Sequence, residues 1–136
     1  MTSIPGRVFQ PIPPDVERVG RAVLDAAFAV HTELGPGLLE SVYRIAMKHV
    51  LETSGCFAQT EVKLPILFRG INLESGLRLD LLVNNCVIAE LKSVEKMNPV
   101  YEAQLLTYLR LSKVRLGFLI NFNTPHLKDG IKRMVV

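Results

Sequence analysis

The stretch "GLRLDLLVNNCVIAELKSV", residues 76–94, decides how the chain folds. Two runs of strand type, roughly 77–83 and 86–92, flank Asn84 and Asn85, residues that tolerate turn dihedrals, so the stretch predicts a β-hairpin. Side chains alternate along a strand. Ile88, Glu90 and Lys92 are therefore expected on one face of the second strand, and Val87, Ala89 and Leu91 on a wholly apolar opposite face. In the first strand Arg78 and Asp80 oppose Leu77, Leu79 and Leu81. Each strand is predicted to keep one polar, wet face.

The register determines whether these charges meet. A strict two-residue turn of Asn84 and Asn85 would set Asp80 opposite Ala89 and point it away from Glu90. A three-residue loop of Asn84, Asn85 and Cys86 sets Asp80 directly across from Glu90, and we take that register. Facing carboxylates repel each other, and a hard cation between them resolves the conflict. Magnesium accepts one or two carboxylates together with waters, which leaves room for a substrate phosphate. Lys92, two positions on, would point to the same place, suited to orient an attacking water or to neutralise charge developing on the phosphate. The plain alternative is a solvated hairpin face with a cross-strand ion pair.

Working outward, a chain of 136 residues is about one domain, able to bury roughly two thirds of its unfolded surface. Hydrophobic residues at 49% and charged residues at 21% exclude a disordered chain. A net charge of +3 is compatible with phosphate-bearing partners without requiring them. Cys56 and Cys86 lack the spacing of a zinc cluster or a disulfide framework, so reduced thiols and a cytoplasmic setting are expected. Residues 1–14, "MTSIPGRVFQPIPP", read as a proline-rich extended tail without a signal-peptide core, and 15–136 as a single domain. No segment is apolar enough for a membrane span.

The elements follow from periodicity. Val16, Val19, Val23, Ala26, Ala27, Val30 and Leu34 form a helical stripe with Asp15 as its expected N-cap, stopped by Gly35-Pro36-Gly37. Leu39, Val42, Tyr43, Ala46 and Val50 predict a second helix ending at Ser54-Gly55. "FAQTEVKLPI" alternates as a strand. Asn98 and Pro99 read as the N-cap and first position of a helix to about Ser112. "RLGFLINF" is a further strand, and "IKRMVV" a last short one. The order α, α, β, β, β, α, β, with or without the last β, is that of one α+β or mixed α/β domain.

Three further features bear on function. On the 99–112 helix, Gln104 and Tyr108 project from one face, with Tyr101 on the same stripe. Glu40 and Tyr43 are neighbours on the second helix. "GPGLLESVY", with Gly37, Glu40 and Tyr43, matches the motif that names the GxxExxY protein family, which resembles the PD-(D/E)XK nuclease superfamily. The likeness continues through "RLDLLVNNCVIAELKSVEKMNPVYEAQLLTYL" and "LGFLINF" to "IKRMVV".

The resemblance implies a PD-(D/E)XK nuclease-like core, a central mixed β-sheet flanked by helices. It also implies magnesium- or manganese-dependent hydrolysis of phosphodiester bonds of DNA or RNA, with DNA favoured as the nucleic-acid partner. Asp80 takes the place of the metal-binding Asp, Glu90 and Lys92 the (D/E)XK pair, and Gln104 with Tyr108 the QxxxY motif. Asp80, Glu90, the backbone carbonyl of Leu91 and, through water, Glu40 would hold the metal. Leu79 departs from the Pro that names the superfamily, at a position that does not touch the metal. The rival reading is a catalytically silent module of the same fold that binds nucleic acid or a protein, and a homo-oligomer is compatible with both. Among the remaining polar residues, His31 lies one turn before the GPG break, within potential reach of the cleft. Lys113, Arg115, Lys128, Lys132 and Arg133 give the C-terminal part a basic bias suited to a phosphate backbone.

Overall fold

The computed structural model describes residues 10–136, so the expected tail falls, for residues 1–9, outside the described residues. Helix α1 spans Pro14–Leu34 and α2 Glu40–Thr53. Strand β1 is Ala58–Lys63, and a two-residue pair follows, β2 (Leu67–Phe68) and β3 (Ile71–Asn72). The hairpin is β4 (Arg78–Val83) and β5 (Val87–Lys92). Then come α3 (Pro99–Ser112), β6 (Leu116–Asn121), a 3-10 turn (Leu127–Gly130) and β7 (Ile131–Val135). The main sheet has the order β1-β4-β5-β6-β7, antiparallel except for the parallel pair β5 and β6 that α3 connects. This is a mixed α/β architecture of the PD-(D/E)XK nuclease-like kind. Among the described residues, no helix is long and apolar enough to cross a membrane.

Helices cover both faces of the sheet. One core joins Val23, Ala27 and Val30 of α1 and Tyr43, Met47 and Leu51 of α2 to Leu81, Val83, Ala89, Leu91, Phe118 and Ile120. The other joins Leu105, Tyr108 and Leu109 of α3 to Leu64, Leu79, Ile88 and Leu119. The sheet is thus an inner layer, and β5 is buried from Val87 to Leu91. The wet face predicted for Ile88, Glu90 and Lys92 is corrected here, because α3 lies over it. Crossing from β5 to its parallel neighbour requires that helix.

Several local expectations are also corrected. Asp15 is not the N-cap of α1: Pro13 holds that place and Pro14 opens the helix, where a missing N–H costs nothing. Asp15 instead contributes a negative charge in the first turn, favoured by the helix dipole. The buried stripe of α2 is Tyr43, Met47 and Leu51, while Leu39 and Val42 of the expected stripe are exposed. Leu79 and Leu81 do not pack on one face, since they belong to different cores. The change occurs at Asp80, where the β1–β4 ladder skips the pair with Glu61 and Glu61 takes a φ of 50°. A strand released from its neighbour at one position can turn there.

The α3 cap matches expectation, the Asn98 side chain accepting from the Val100 N–H at 2.9 Å ahead of Pro99. Gly35 and Gly37 both have positive φ, 71° and 94°, which a side chain would resist. The Tyr43 hydroxyl fixes this loop, donating to the Gly35 carbonyl at 2.6 Å and accepting from the Leu38 N–H at 3.1 Å, with its ring stacked on Phe122. Tyr43 is thereby a structural pin for the loop that delivers Glu40.

Candidate active site

The hairpin turn sets the site. Asn84 and Asn85 both adopt positive φ, 49° and 54°, the sign pattern of a type I′ turn, and Cys86 N–H donates back to the Val83 carbonyl at 3.0 Å. With Val83 paired to Val87, Leu82 to Ile88 and Leu81 to Ala89, the loop has three residues, and the next position places Asp80 across from Glu90. The register inferred from the sequence is the one observed.

At that position the main-chain ladder between β4 and β5 gives way. Glu90 Oε1 accepts from the Asp80 N–H at 3.1 Å, and Asp80 Oδ2 accepts from the Leu91 N–H at 2.8 Å. Two carboxylates therefore replace the backbone bonds that would otherwise close the pair. Beyond this opening β5 remains paired to β6 as far as Lys92 with Asn121, so the site is held rigidly from one side only.

The electrostatics are those of a partly compensated pair. Burial, followed by the charge of Asp80, pushes the Glu90 carboxyl up to about 9, with Lys92 opposing the shift. Glu90 is 6% exposed. Arg44 of α2 lies at 3.8 Å from Asp80 Oδ1 and 3.3 Å from Glu61 Oε1, so it bridges the two residues that the ladder skips. Arg44 was not legible in the sequence. A cation one residue past Tyr43 on an amphipathic helix reads as a solvated group, and the signal was only its spacing of four from Glu40.

Lys92 follows Glu90 on the strand, its Nζ 4.4 Å from the centroid of the Tyr101 ring, which holds the ammonium by cation–π attraction. Glu40 is the first residue of α2, and its Oε1 accepts from the Ser93 N–H at 3.4 Å. Ser93 Oγ donates to the Leu38 carbonyl at 2.6 Å. The motif loop is thus tied directly to the residue after Lys92. Asn121, also missed by sequence reasoning, clamps the same segment, exchanging two hydrogen bonds with Val94 at 3.1 and 3.0 Å.

Tyr108 is buried beneath the pair, and burial followed by the charges of Glu90 and Asp80 raises its phenol, which stays neutral. Gln104, one turn earlier on α3, is exposed. His31 does not enter the site: its Nε2 lies 2.8 Å from the Thr124 carbonyl. The basic residues of the C-terminal part do not form one patch. Arg133 pairs with Glu17, Lys132 with Glu102, and Arg115 binds the carbonyls of Pro11 and Val136.

Among the described residues, no three or more His, Cys, Asp or Glu side chains converge as a metal-holding group. The acidic core of the site is a pair, Asp80 and Glu90, and further donors would have to come from main chain and water. No curated protein and no solved structure matches the chain. The family described as the PD-(D/E)XK nuclease superfamily matches residues 17–134, a span that runs from the first turns of α1 to the end of β7 and contains Asp80, Glu90 and Lys92. With that match over nearly the whole chain, the chain belongs to the PD-(D/E)XK nuclease superfamily.

Proposed function

We propose that the protein hydrolyses phosphodiester bonds of DNA or RNA, with magnesium or manganese as cofactor. The observation that carries this reading is the facing pair Asp80 and Glu90 at the opening of the β4–β5 ladder, with Lys92 next on the same strand face. The donor set suits a hard divalent ion. A buried carboxyl raised to about 9 beside a second acid marks a local shortage of positive charge, which Arg44 at 3.8 Å relieves on one oxygen only. Asp80, Glu90 and the Leu91 carbonyl would hold the ion, and Glu40 would reach it through water. When bound, the ion supplies Lewis acidity that polarises the phosphate and lowers the pKa of a bound water.

The protein's own residues do the rest. Lys92, steadied over Tyr101, orients the attacking water and balances charge on the phosphate. Ser93 and Asn121 keep the end of β5 in place, so Lys92 keeps its distance from the acids. Tyr108 closes the site from below as a neutral phenol. The GxxExxY likeness is compatible with this division of roles, since Tyr43 fixes the loop and Glu40 leaves it toward Ser93.

The test is incubation of pure protein with labelled single- and double-stranded DNA and RNA in magnesium, manganese or chelator. Cleavage should need the metal and fail in Lys92→Ala, with turnover falling far more than affinity, because a residue that acts in the transition state leaves ground-state binding largely alone. Cleavage that survives chelation would contradict the reading, and equal loss of rate and affinity would recast Lys92 as a phosphate anchor.

A further inference from the structure

A cleft of about 550 Å³ lies on the far side of the Gly35–Gly37 loop, and the reactions described above leave it unused. Phe28, His31 and Pro36 form one wall, and Pro125, His126 and Lys128 the other. Phe28 is 43% exposed, a large fraction for a phenylalanine on a helix that otherwise packs against the sheet. Among the described residues, no acidic side chain lines the cleft, while two imidazoles and an ammonium do. Lys128 and His126 are exposed, and neither is used in a salt bridge among the described residues, unlike Lys132 and Arg133. Apolar ring surface beside an unpaired ammonium and imidazole N–H groups is the chemistry that holds a nucleotide, base on the aromatic face and phosphate on the polar groups.

The position agrees with the chemistry. His31 is anchored to Thr124, just past the end of β6, while Lys92 ends β5 in register with Asn121 of β6. The cleft and the acid pair therefore lie at the same end of two neighbouring parallel strands, the end where open sheets bind ligands. The loop between them joins the two sites physically. Gly35 and Pro36 line the cleft, and Glu40, five residues after Gly35, belongs to the acid site. Five residues span at most ~18 Å. A single strand leaving the acid pair across this loop would meet the cleft within a few nucleotides.

We propose that this cleft seats a nucleotide of the substrate strand a few nucleotides from the scissile phosphate, its base against Phe28 and its phosphate on His126 and Lys128. The proposal rests on the nuclease reading for the identity of the strand, and the test separates the two. Binding of a labelled single-stranded oligonucleotide of about ten nucleotides to the full chain is measured by fluorescence anisotropy in chelator, where no metal-dependent cleavage intervenes. Phe28→Ala should weaken binding roughly tenfold, the loss of one stacked base. Lys128→Ala should reduce the log–log salt slope by about one, the loss of one phosphate contact. Lys113→Gln is the charge control: Lys113 caps α3 at the opposite end of the sheet, and its loss should leave the salt slope unchanged.

The seat is overturned if both cleft variants bind as wild type does, if Lys113→Gln loses as much as Lys128→Ala, or if the wild type binds no oligonucleotide. Cleft-dependent binding in a protein that no metal activates would support the seat and sink the nuclease reading. Metal-dependent cleavage with cleft variants that bind normally would do the reverse.

Discussion

Val87, Ile88 and Ala89 in the first half of β5 lie in register with β4 on one side and β6 on the other. Glu90, in the second half, keeps its place beside β6 but meets β4 through carboxylates. Burial is nearly the same in both halves, from 0% exposure at Ile88 to 6% at Glu90. The energetic sign differs. Burying Ile88 stabilises the fold by about 1.5–3 kcal/mol, whereas Glu90 must shed hydration or its charge to occupy its position. One strand thus carries a half that holds the fold together and a half that, on the proposed reading, the fold holds in place for chemistry, and substitutions should separate them.

The largest effect is expected on rate. Asp80→Asn and Glu90→Gln each remove an anionic oxygen at almost constant volume, and if the acid pair holds the metal, cleavage should fall by roughly 10³-fold or more. Circular dichroism should show the fold retained. Full activity in both variants would place the chemistry elsewhere. Ile88→Ala should do the opposite, costing about 2–5 kcal/mol of stability by chemical denaturation, while the molecules that remain folded keep their turnover. An Ile88→Ala protein as stable as wild type would mean that the α3 core is not packed as described. Tyr43→Phe tests the pin between the halves: losing the hydroxyl that joins Gly35 to Leu38 should cost about 1–3 kcal/mol, and cleavage should weaken as the loop carrying Glu40 loosens.

A further effect is a pH slope. Glu90 has a raised folded-state value of about 9 against an ordinary value of 4.5, so the folded state holds a proton that the unfolded state releases above 4.5. Its contribution to stability is fully present below pH 4.5 and declines as pH rises toward 9. In chelator, the wild type should lose stability across that window, and Glu90→Gln should lose less. Identical pH profiles would show that Glu90 is already ionised in the fold. Metal binding should strengthen as pH rises through the same window, because the ion displaces that proton.

The hairpin and its register were legible because Asn84-Asn85-Cys86 offers few loops, and only one of them brings Asp80 to Glu90. The α3 cap was legible because Asn98-Pro99 is a local signal. Pro14 offered a start signal for α1 that Asp15 obscured. The burial of Glu90 was not legible, since alternation gives faces and does not say which face a later helix will cover. Arg44 and Asn121 were hidden for a similar reason: each serves the site through contacts with residues tens of positions away. The β2–β3 pair is too short for any period to show.

The central claim is that Asp80 and Glu90 form a charge-deficient pair awaiting a divalent cation. The most direct test is a comparison of melting points of wild type and Asp80→Asn, each in chelator and in manganese at fixed ionic strength. A ligand at ten times its dissociation constant stabilises a native state by about 1.4 kcal/mol, a shift of a few degrees for a domain of this size. The wild type should rise by that amount in manganese. Asp80→Asn should lose most of the response. A wild type whose melting point ignores the metal, or an Asp80→Asn variant that responds as strongly as wild type, would contradict the account.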